Sequence, residues 1–474
     1  MENWISLVPF AVAIVIALAT RHVLLGLTLG LLVGSISLEP RVINSLSRTL
    51  GYILAALEDG ENLRIVVFLY VFGGLVGMLQ VAGGVRGFAQ LVGKSVKTER
   101  SALAVTWASV VITFMDCEFR TMTVGPLMKA VQGGVRISKS KLAYAIDVST
   151  VPVIVLFPVA TTYVGYMVSV VSGAINQAGL STPPYRLFLS SLPFNFFAIA
   201  MLLISLVAVL TGRYIGAGFA QTGEGGASES DENEAHRESV EQELAQVQPK
   251  PLNLAAPLAL LLLSTVVFTW LQGRAQGATS LLAAFQATDV TQAMLLALFF
   301  TSLVSLVFFL LRRISVNELM FHFVDGGNQL MMAILLLVLV WAMAAQSSKD
   351  LGFAPFVKST FGAYLPGWLT PAAVFLFGSL LAYLIGSSWG TWGILMPLGV
   401  ALAVATHASL PATVGAVFAS GTFGDFSSPL GETTTTTAAV FDLPVVSYAR
   451  KKLPSALAAV AIATALFAIV GLRG

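Results

Sequence analysis

Five acidic side chains stand in stretches apolar enough to lie in a lipid bilayer. Asp116 and Glu118 sit in TFMDCEFRTMTVGPLM, Asp147 in LAYAIDVSTVPV, and Asp425 and Glu432 in FGDFSSPLGETTTTT. An ionisable residue at membrane depth is costly, and its default reading is a functional site. Desolvation disfavours the charged form of such a carboxyl, and a nearby cation favours it. One carboxylate can therefore hold H⁺ or Na⁺ but not both, which is the minimum requirement for exchange. Hydroxyls stand close by at Thr121, Ser427, Ser428 and the run Thr433–Thr437. On a helix only every third or fourth residue of that run faces one way. At most two of them serve one ligand, and Thr433 and Thr434 are assigned to the shell.

Two further groups carry chemistry. The tip Asp116-Cys117-Glu118-Phe119-Arg120 packs three ionisable side chains into five residues. Asp116 and Arg120 are four apart, so a helical turn brings them together as an ion pair. The alternatives are a carboxylate left free for a cation or proton, or Arg120 meeting an anionic substrate. The second group is Gly386-Ser387-Ser388-Trp389-Gly390-Thr391. Its hydroxyls and freed carbonyls suit Na⁺, its helix N-terminus suits an anion, and Thr391 reads as the N-cap of a helix over 392–403. Trp389 either lines the cavity or packs. Asp147 follows Lys139 and Lys141 closely, which places it toward the cytoplasmic face.

The elements that position these residues are membrane helices. The chain has 474 residues, 56% hydrophobic and 11% charged, where a soluble protein carries roughly 25% charged residues. A span needs about 20 mostly apolar residues. Candidates lie at 4–20, 23–38, 63–82, 187–212, 252–271, 292–311, 329–348 and 454–472, with 39–62 polar between the second and third. Four of the polar groups interrupt longer apolar segments: 101–131 at DCEFR, 141–177 at Asp147 and two prolines, 370–405 at GSSWGT, and 411–442 at GDFSSPLGE. The N-terminus MENW lacks the basic region of a cleaved signal, so the first apolar segment is expected to stay as a span. Residues 221–251 are acidic with few large apolar residues and read as a solvated linker. One cysteine and four scattered histidines exclude an intrachain disulfide and give no zinc spacing. No basic block suggests nucleic acid.

The two halves repeat the same order. GMLQVAGGVRGFAQLV (77–92) parallels MAAQSSKDLGFAPFV (343–357). DCEFRTMTVGPLM (116–128) parallels GSSWGTWGILMPL (386–398), and Asp147-Val-Ser-Thr-Val-Pro152 parallels Asp425-Phe-Ser-Ser-Pro429. If 101–131 and 370–405 are re-entrant hairpins, each half has about five spans plus one hairpin. Five is odd, so the second half is inverted. With the N-terminus outside, the cytoplasmic side then holds 17 Lys and Arg, Lys452 among them, against 8 outside, with Arg120 in the membrane. That is the bias the positive-inside rule demands. The fold expected is all-α and polytopic. Repeat 1–213 and inverted repeat 252–474 are joined by a cytoplasmic linker, 214–251, and broken helices meet near the midplane. Secondary transporters are built this way.

The motifs TFMDCEFRTMTVGPLM, RISKSKLAYAIDVSTVPV, GSSWGTWGILMP and FGDFSSPLGETT resemble those of the NhaC-type sodium/proton antiporter family, in order and spacing over most of 60–450. The resemblance implies an ion-transporter-type fold and cation-coupled secondary transport by alternating access, with no enzyme activity. Its coupling ions are Na⁺ and H⁺, without further cofactors. It places Na⁺ at Asp425 and Asp116, with Glu432, Thr433 and the hairpin tips completing the shell. Four positions depart from the family: Cys117 replaces the second acid of a pair, Arg120 an Asn, Phe426 a His, and Glu432 an Asp. The changes at the first tip shift its charge toward positive. A second expectation is thus a Na⁺- or H⁺-coupled transporter or exchanger of a small organic anion or amino acid, its carboxylate anchored by Arg120. The membrane expected is the cytoplasmic membrane of a bacterium, and a homodimer is an open expectation.

Overall fold

The computed structural model describes residues 4–84, 87, 96, 98–132, 135, 137–212, 214–215, 250–280, 284, 290–361 and 364–473. Arg86, Lys94, Lys97, Arg136, Arg213 and nearly all of the acidic linker, whose role was left open, lie outside the described residues. Among the described residues every regular element is a helix. The first half runs α1 (Val8–Thr20), α2 (Val23–Leu38), α3 (Val42–Glu58), α4 (Gly60–Val81), α5 (Glu99–Ala108), α6 (Val110–Thr113), α7 (Cys117–Gln132), α8 (Lys139–Val148), α9 (Val151–Ile154), α10 (Thr162–Gln177), α11 (Pro184–Ser191) and α12 (Phe196–Thr211). The second runs α13 (Leu252–Ala275), α14 (Val290–Leu311), α15 (Val316–Gln329), α16 (Met331–Lys349), α17 (Phe353–Phe361), α18 (Thr370–Ile385), α19 (Ser388–Ala405), α20 (Leu410–Ser427), α21 (Glu432–Val440) and α22 (Val445–Arg473).

Among the described residues seven helices are long and apolar enough to cross a membrane, or eight when the bent pair Pro184–Phe194 and Phe196–Thr211 counts as one span. Both arms of the second hairpin are among the seven, at 19 and 18 residues. Length alone therefore permits each arm to cross, so length does not by itself make 370–405 a re-entrant hairpin.

The halves share one order: two apolar helices, an amphipathic one, a long buried one, a hairpin, a broken helix and a closing helix. The amphipathic members, α3 and α15, were not expected. Hydropathy averaged over 39–62 hides a face of Val42, Ile43, Leu46, Leu50 and Leu54, all exposed, at the three-to-four spacing of a helix stripe. Their packing exchanges between halves, α15 lying on α4 and α3 on α16. Glycine sets the first crossing. A Cβ on Gly77 would strike the His322 carbonyl, and one on Gly73 the Gly326 carbonyl, so the two backbones touch. Such small-residue crossings are how membrane helices gain packing energy without a hydrophobic driving force.

The hairpins exchange in the same way: α7 packs on α21, and α19 on α10. Each hairpin's inner arm thus meets the helix that follows the break in the other half. The breaks have local causes. After α8, Ser149 and Thr150 turn their hydroxyls back to Ala145 and Ile146, Pro158 follows, and Thr161 caps α10 by accepting from Val164 N. After α20, Pro429 prevents continuation and Ser428 Oγ accepts from Leu430 N. At the second hairpin tip Gly386 ends α18 at φ 76°, a left-handed turn that glycine adopts without strain.

Candidate functional site

Asp425 sits in the last turn of α20, buried to 1% exposure. The break turns the chain back over it. Its Oδ1 accepts from Thr433 N at 3.2 Å and Thr433 Oγ1 at 3.1 Å. Its Oδ2 accepts from Ser388 Oγ at 3.1 Å, on the second hairpin tip, and Tyr163 OH at 3.4 Å, on α10. Thr434 Oγ1 donates to the Asp425 carbonyl at 3.0 Å. Four elements thus converge on one carboxylate: α20, α21, α19 and α10. All four donors to the carboxylate are neutral, and three are hydroxyls or phenols. A hydroxyl donates one hydrogen and accepts on two lone pairs. The shell can therefore stabilise a bare carboxylate, or turn its oxygens toward a cation bound there.

Tyr163 ties this site to the first hairpin. Its hydroxyl also accepts from Cys117 Sγ at 3.1 Å, and its ring meets Trp389 and Trp392 edge-on. Trp389 packs against Tyr163 and Tyr166, and its carbonyl accepts from Tyr166 OH at 2.5 Å.

A second cluster forms around Asp147, also 1% exposed. Lys452 Nζ lies 2.5 Å from its Oδ2 and Tyr448 OH 2.7 Å, while Thr437 Oγ1 donates to Oδ1. Lys452 also donates to Thr434 Oγ1 at 2.9 Å, so Thr434 links the Asp147 cluster to the Asp425 backbone. Lys452 was counted among cytoplasmic loop charges. That is corrected: it is 0% exposed, because α22 starts at Val445 rather than near 454 and carries Tyr448 and Lys452 one turn apart on its buried face.

The third group is Glu118 on α7 and Glu432 at the start of α21, two carboxyls that stand close enough to interact. Glu432 is exposed and Glu118 half-buried, so this end of the site is open while Asp425 is sealed.

The ion pair expected between Asp116 and Arg120 does not form. Asp116 stands just before α7, and its Oδ1 accepts from Phe119 N at 3.0 Å as an N-cap does. Its Oδ2 accepts from Thr162 Oγ1 at 3.0 Å, pinning the tip to α10. Arg120 points the other way, 0% exposed. Nε donates to Thr150, Nη1 to Ser109 and Thr113, and Nη2 to Ser149 and the Thr106 carbonyl. All five guanidinium donors are taken by neutral oxygens.

Other residues of the expected shell serve the backbone. Ser387, not Thr391, is the N-cap of α19, accepting from Gly390 N at 3.2 Å, and Thr391 Oγ1 donates to the Ser387 carbonyl. Ser427 Oγ donates to the Phe423 carbonyl. Ser428 holds the break, and Thr121 Oγ1 is buried without a partner among the described residues. Tyr163, Tyr448 and Lys452 were not foreseen. Their signal was present only as spacing: Tyr163 directly after Thr161-Thr162, and Tyr448 four residues before Lys452. Among the described residues no three His, Cys, Asp or Glu could jointly hold a metal ion. A cation at Asp425 would be held by one carboxylate with hydroxyl and carbonyl oxygens.

Comparison with known proteins agrees with this architecture. The profile of the Na⁺/H⁺ antiporter family matches residues 153–472. An uncharacterized protein of Haemophilus influenzae is 28% identical over 98% of this chain and 90% of its own length. The arginine/ornithine antiporter ArcD of Halobacterium salinarum is 33% identical over 31% of each chain. Among solved structures, the YdaH transporter of Alcanivorax borkumensis superposes with a TM-score of 0.55 at 15% identity, covering 90% of this chain and 88% of that one. MtrF of Neisseria gonorrhoeae, assigned to a class of antimetabolite efflux pumps, gives 0.50 at 13% identity, over 90% and 84%. The overall fold is therefore a transporter fold.

Proposed function

Taking as premise that the chain belongs to the Na⁺/H⁺ antiporter family and is a multi-pass secondary transporter, we propose that it exchanges Na⁺ for H⁺ with Asp425 as the carboxylate that holds the two ions in turn. The observation that carries this reading is the Asp425 shell: a sealed carboxylate with four neutral donors and no cation among its hydrogen-bond partners. A permanent ion pair would compete with a transported cation, and neutral oxygens do not. Glu118 and Glu432 stand at the open end of the same site. Asp116 keeps the first tip in place, and Arg120 holds the tip's outer side without facing the ions. The inverted repeat, the bacterial cytoplasmic membrane and the outward N-terminus belong to the same proposal. The excess of basic residues on the cytoplasmic side survives the removal of Lys452 from it.

A second reading is coupled transport of an amino acid, favoured by the similarity to an arginine/ornithine antiporter. Its cargo would meet the acids through a cationic group. Anchoring of an organic anion by Arg120 finds no free donor in this conformation.

The test is reconstitution in liposomes that hold a pH-sensitive dye and an imposed proton gradient. Na⁺ or Li⁺, and not K⁺, should collapse the gradient. Collapse by arginine or ornithine alone would move the assignment to the second reading. No response to any cation from monodisperse protein contradicts exchange.

A further inference from the structure

Asp147 and Asp425 are counterparts in sequence, DVSTVP against DFSSP, and their surroundings share several features. Each closes a helix that precedes a break, α8 and α20. Both are sealed. Each takes a hydroxyl from α21, Thr437 for Asp147 and Thr433 for Asp425, four residues and about one helical turn apart on the same face. The difference is charge. Asp425 meets neutral donors, whereas Asp147 meets the Lys452 ammonium. That ammonium is surrounded by the Asp147 carboxylate, the Thr434 hydroxyl, and the ring faces of Phe426 at 4.8 Å and Tyr448 at 4.5 Å from their centroids. Carboxylate and hydroxyl oxygens with aromatic faces are the surroundings that suit a small monovalent cation.

We infer that the Lys452 ammonium is a built-in cation, filling at Asp147 the place that a transported Na⁺ takes at Asp425, so that the chain carries one Na⁺ per cycle rather than two. The inference rests on the reading of Asp425 as the transported-cation site. A free cation must leave on each cycle. An ammonium tethered to α22 cannot, so Asp147 stays neutralised while Asp425 fills and empties. Thr434 joins the two, accepting from Lys452 and donating to the Asp425 carbonyl. Without the ammonium, the oxygens of Asp147, Thr434, Thr437 and Tyr448 would surround an uncompensated buried carboxylate that a free Na⁺ can neutralise.

The experiment counts radiolabelled Na⁺ bound per chain by equilibrium dialysis of the purified full chain at saturating Na⁺ and alkaline pH. The wild type should bind one, D425N none, K452Q two, and D425N/K452Q one. K452R, which keeps a cation at Asp147, should bind one. K452Q binding one while D425N/K452Q binds none overturns the inference and leaves Asp425 in place. D425N that still binds one overturns the parent reading instead. K452Q should also gain more thermal stability from added Na⁺ than the wild type, since ligand binding to the folded state stabilises it by mass action. A K452Q chain that stays unfolded at every Na⁺ concentration shows that a free cation cannot replace the ammonium, and it overturns the inference as well.

Discussion

At Asp425 the decisive quantity is the balance between a dry carboxylate and four donors. A hydrogen bond to a charged group contributes about 1.5–3 kcal/mol, so no single donor holds the charge alone. Tyr163→Phe removes one of the four and leaves Cys117 without its acceptor. Allowing about 1.4 kcal/mol for that long bond, the half-saturating Na⁺ concentration should change by roughly tenfold, with the maximal exchange rate retained. Initial rates across a Na⁺ series check this. Arg120 makes the opposite case. Its five donors meet five acceptors around α5, α6, α8 and the break, and lysine offers three donors on a flexible stem. Arg120→Lys should cost about 3 kcal/mol of stability, seen as a lower melting temperature in detergent, while the Na⁺ affinity of the folded fraction is unchanged. A large change in affinity would return Arg120 to the ion path. In the sequence, the grouping of Asp425 with Ser388, Thr433 and Thr434 was legible, because short polar motifs in apolar surroundings mark where side chains must find partners. The partners contributed by distant elements were not. Lys452 looks like one more basic residue in SYARKKL until α22 is seen to begin ahead of it, and Arg120 and Asp116 separate because a residue before a helix turns its side chain into the helix end.

At the scale of elements, the site exists because two hairpins and two broken helices exchange partners. Each break is local chemistry, proline with back-bonding hydroxyls, and its polar residues and prolines were legible in the sequence. The amphipathic helices α3 and α15 were not, since a window average cancels a stripe against its polar face. Their role is to hold α16 and α4. The α4–α15 crossing has backbone contact at Gly77, so a side chain there cannot be accommodated by rotamer change. Gly77→Val should destabilise the protein by about 3 kcal/mol or more, at or beyond the usual overpacking range, with loss of monodisperse protein on size-exclusion chromatography. Gly51, where a Cβ meets nothing, is the control: Gly51→Val should leave the profile unchanged.

At the scale of the whole molecule, the account requires the halves to face opposite ways. The shared element order and the exchanged contacts, α4 with α15 against α16 with α3, are what a two-fold relation in the membrane plane would produce. Cys117 is the single cysteine and is buried, so replacing it by serine gives a clean background for labelling. In that background Arg313→Cys, between the second and third helices of its half, should react with an impermeant thiol reagent only from the cytoplasmic side, and Arg41→Cys, at the corresponding place in the first half, only from outside. Labelling of both from one side would remove the inversion.

The central claim is that one carboxylate holds Na⁺ and H⁺ in turn. Competition at a single site is read most directly from initial exchange rates in proteoliposomes across a series of Na⁺ concentrations at several pH values. The half-saturating Na⁺ concentration should rise as pH falls, because protons occupy the same oxygens, while saturating Na⁺ restores the full rate. Asp425→Asn should show no exchange at any pH. A half-saturating concentration that does not move with pH, or exchange that persists in Asp425→Asn, would contradict the account.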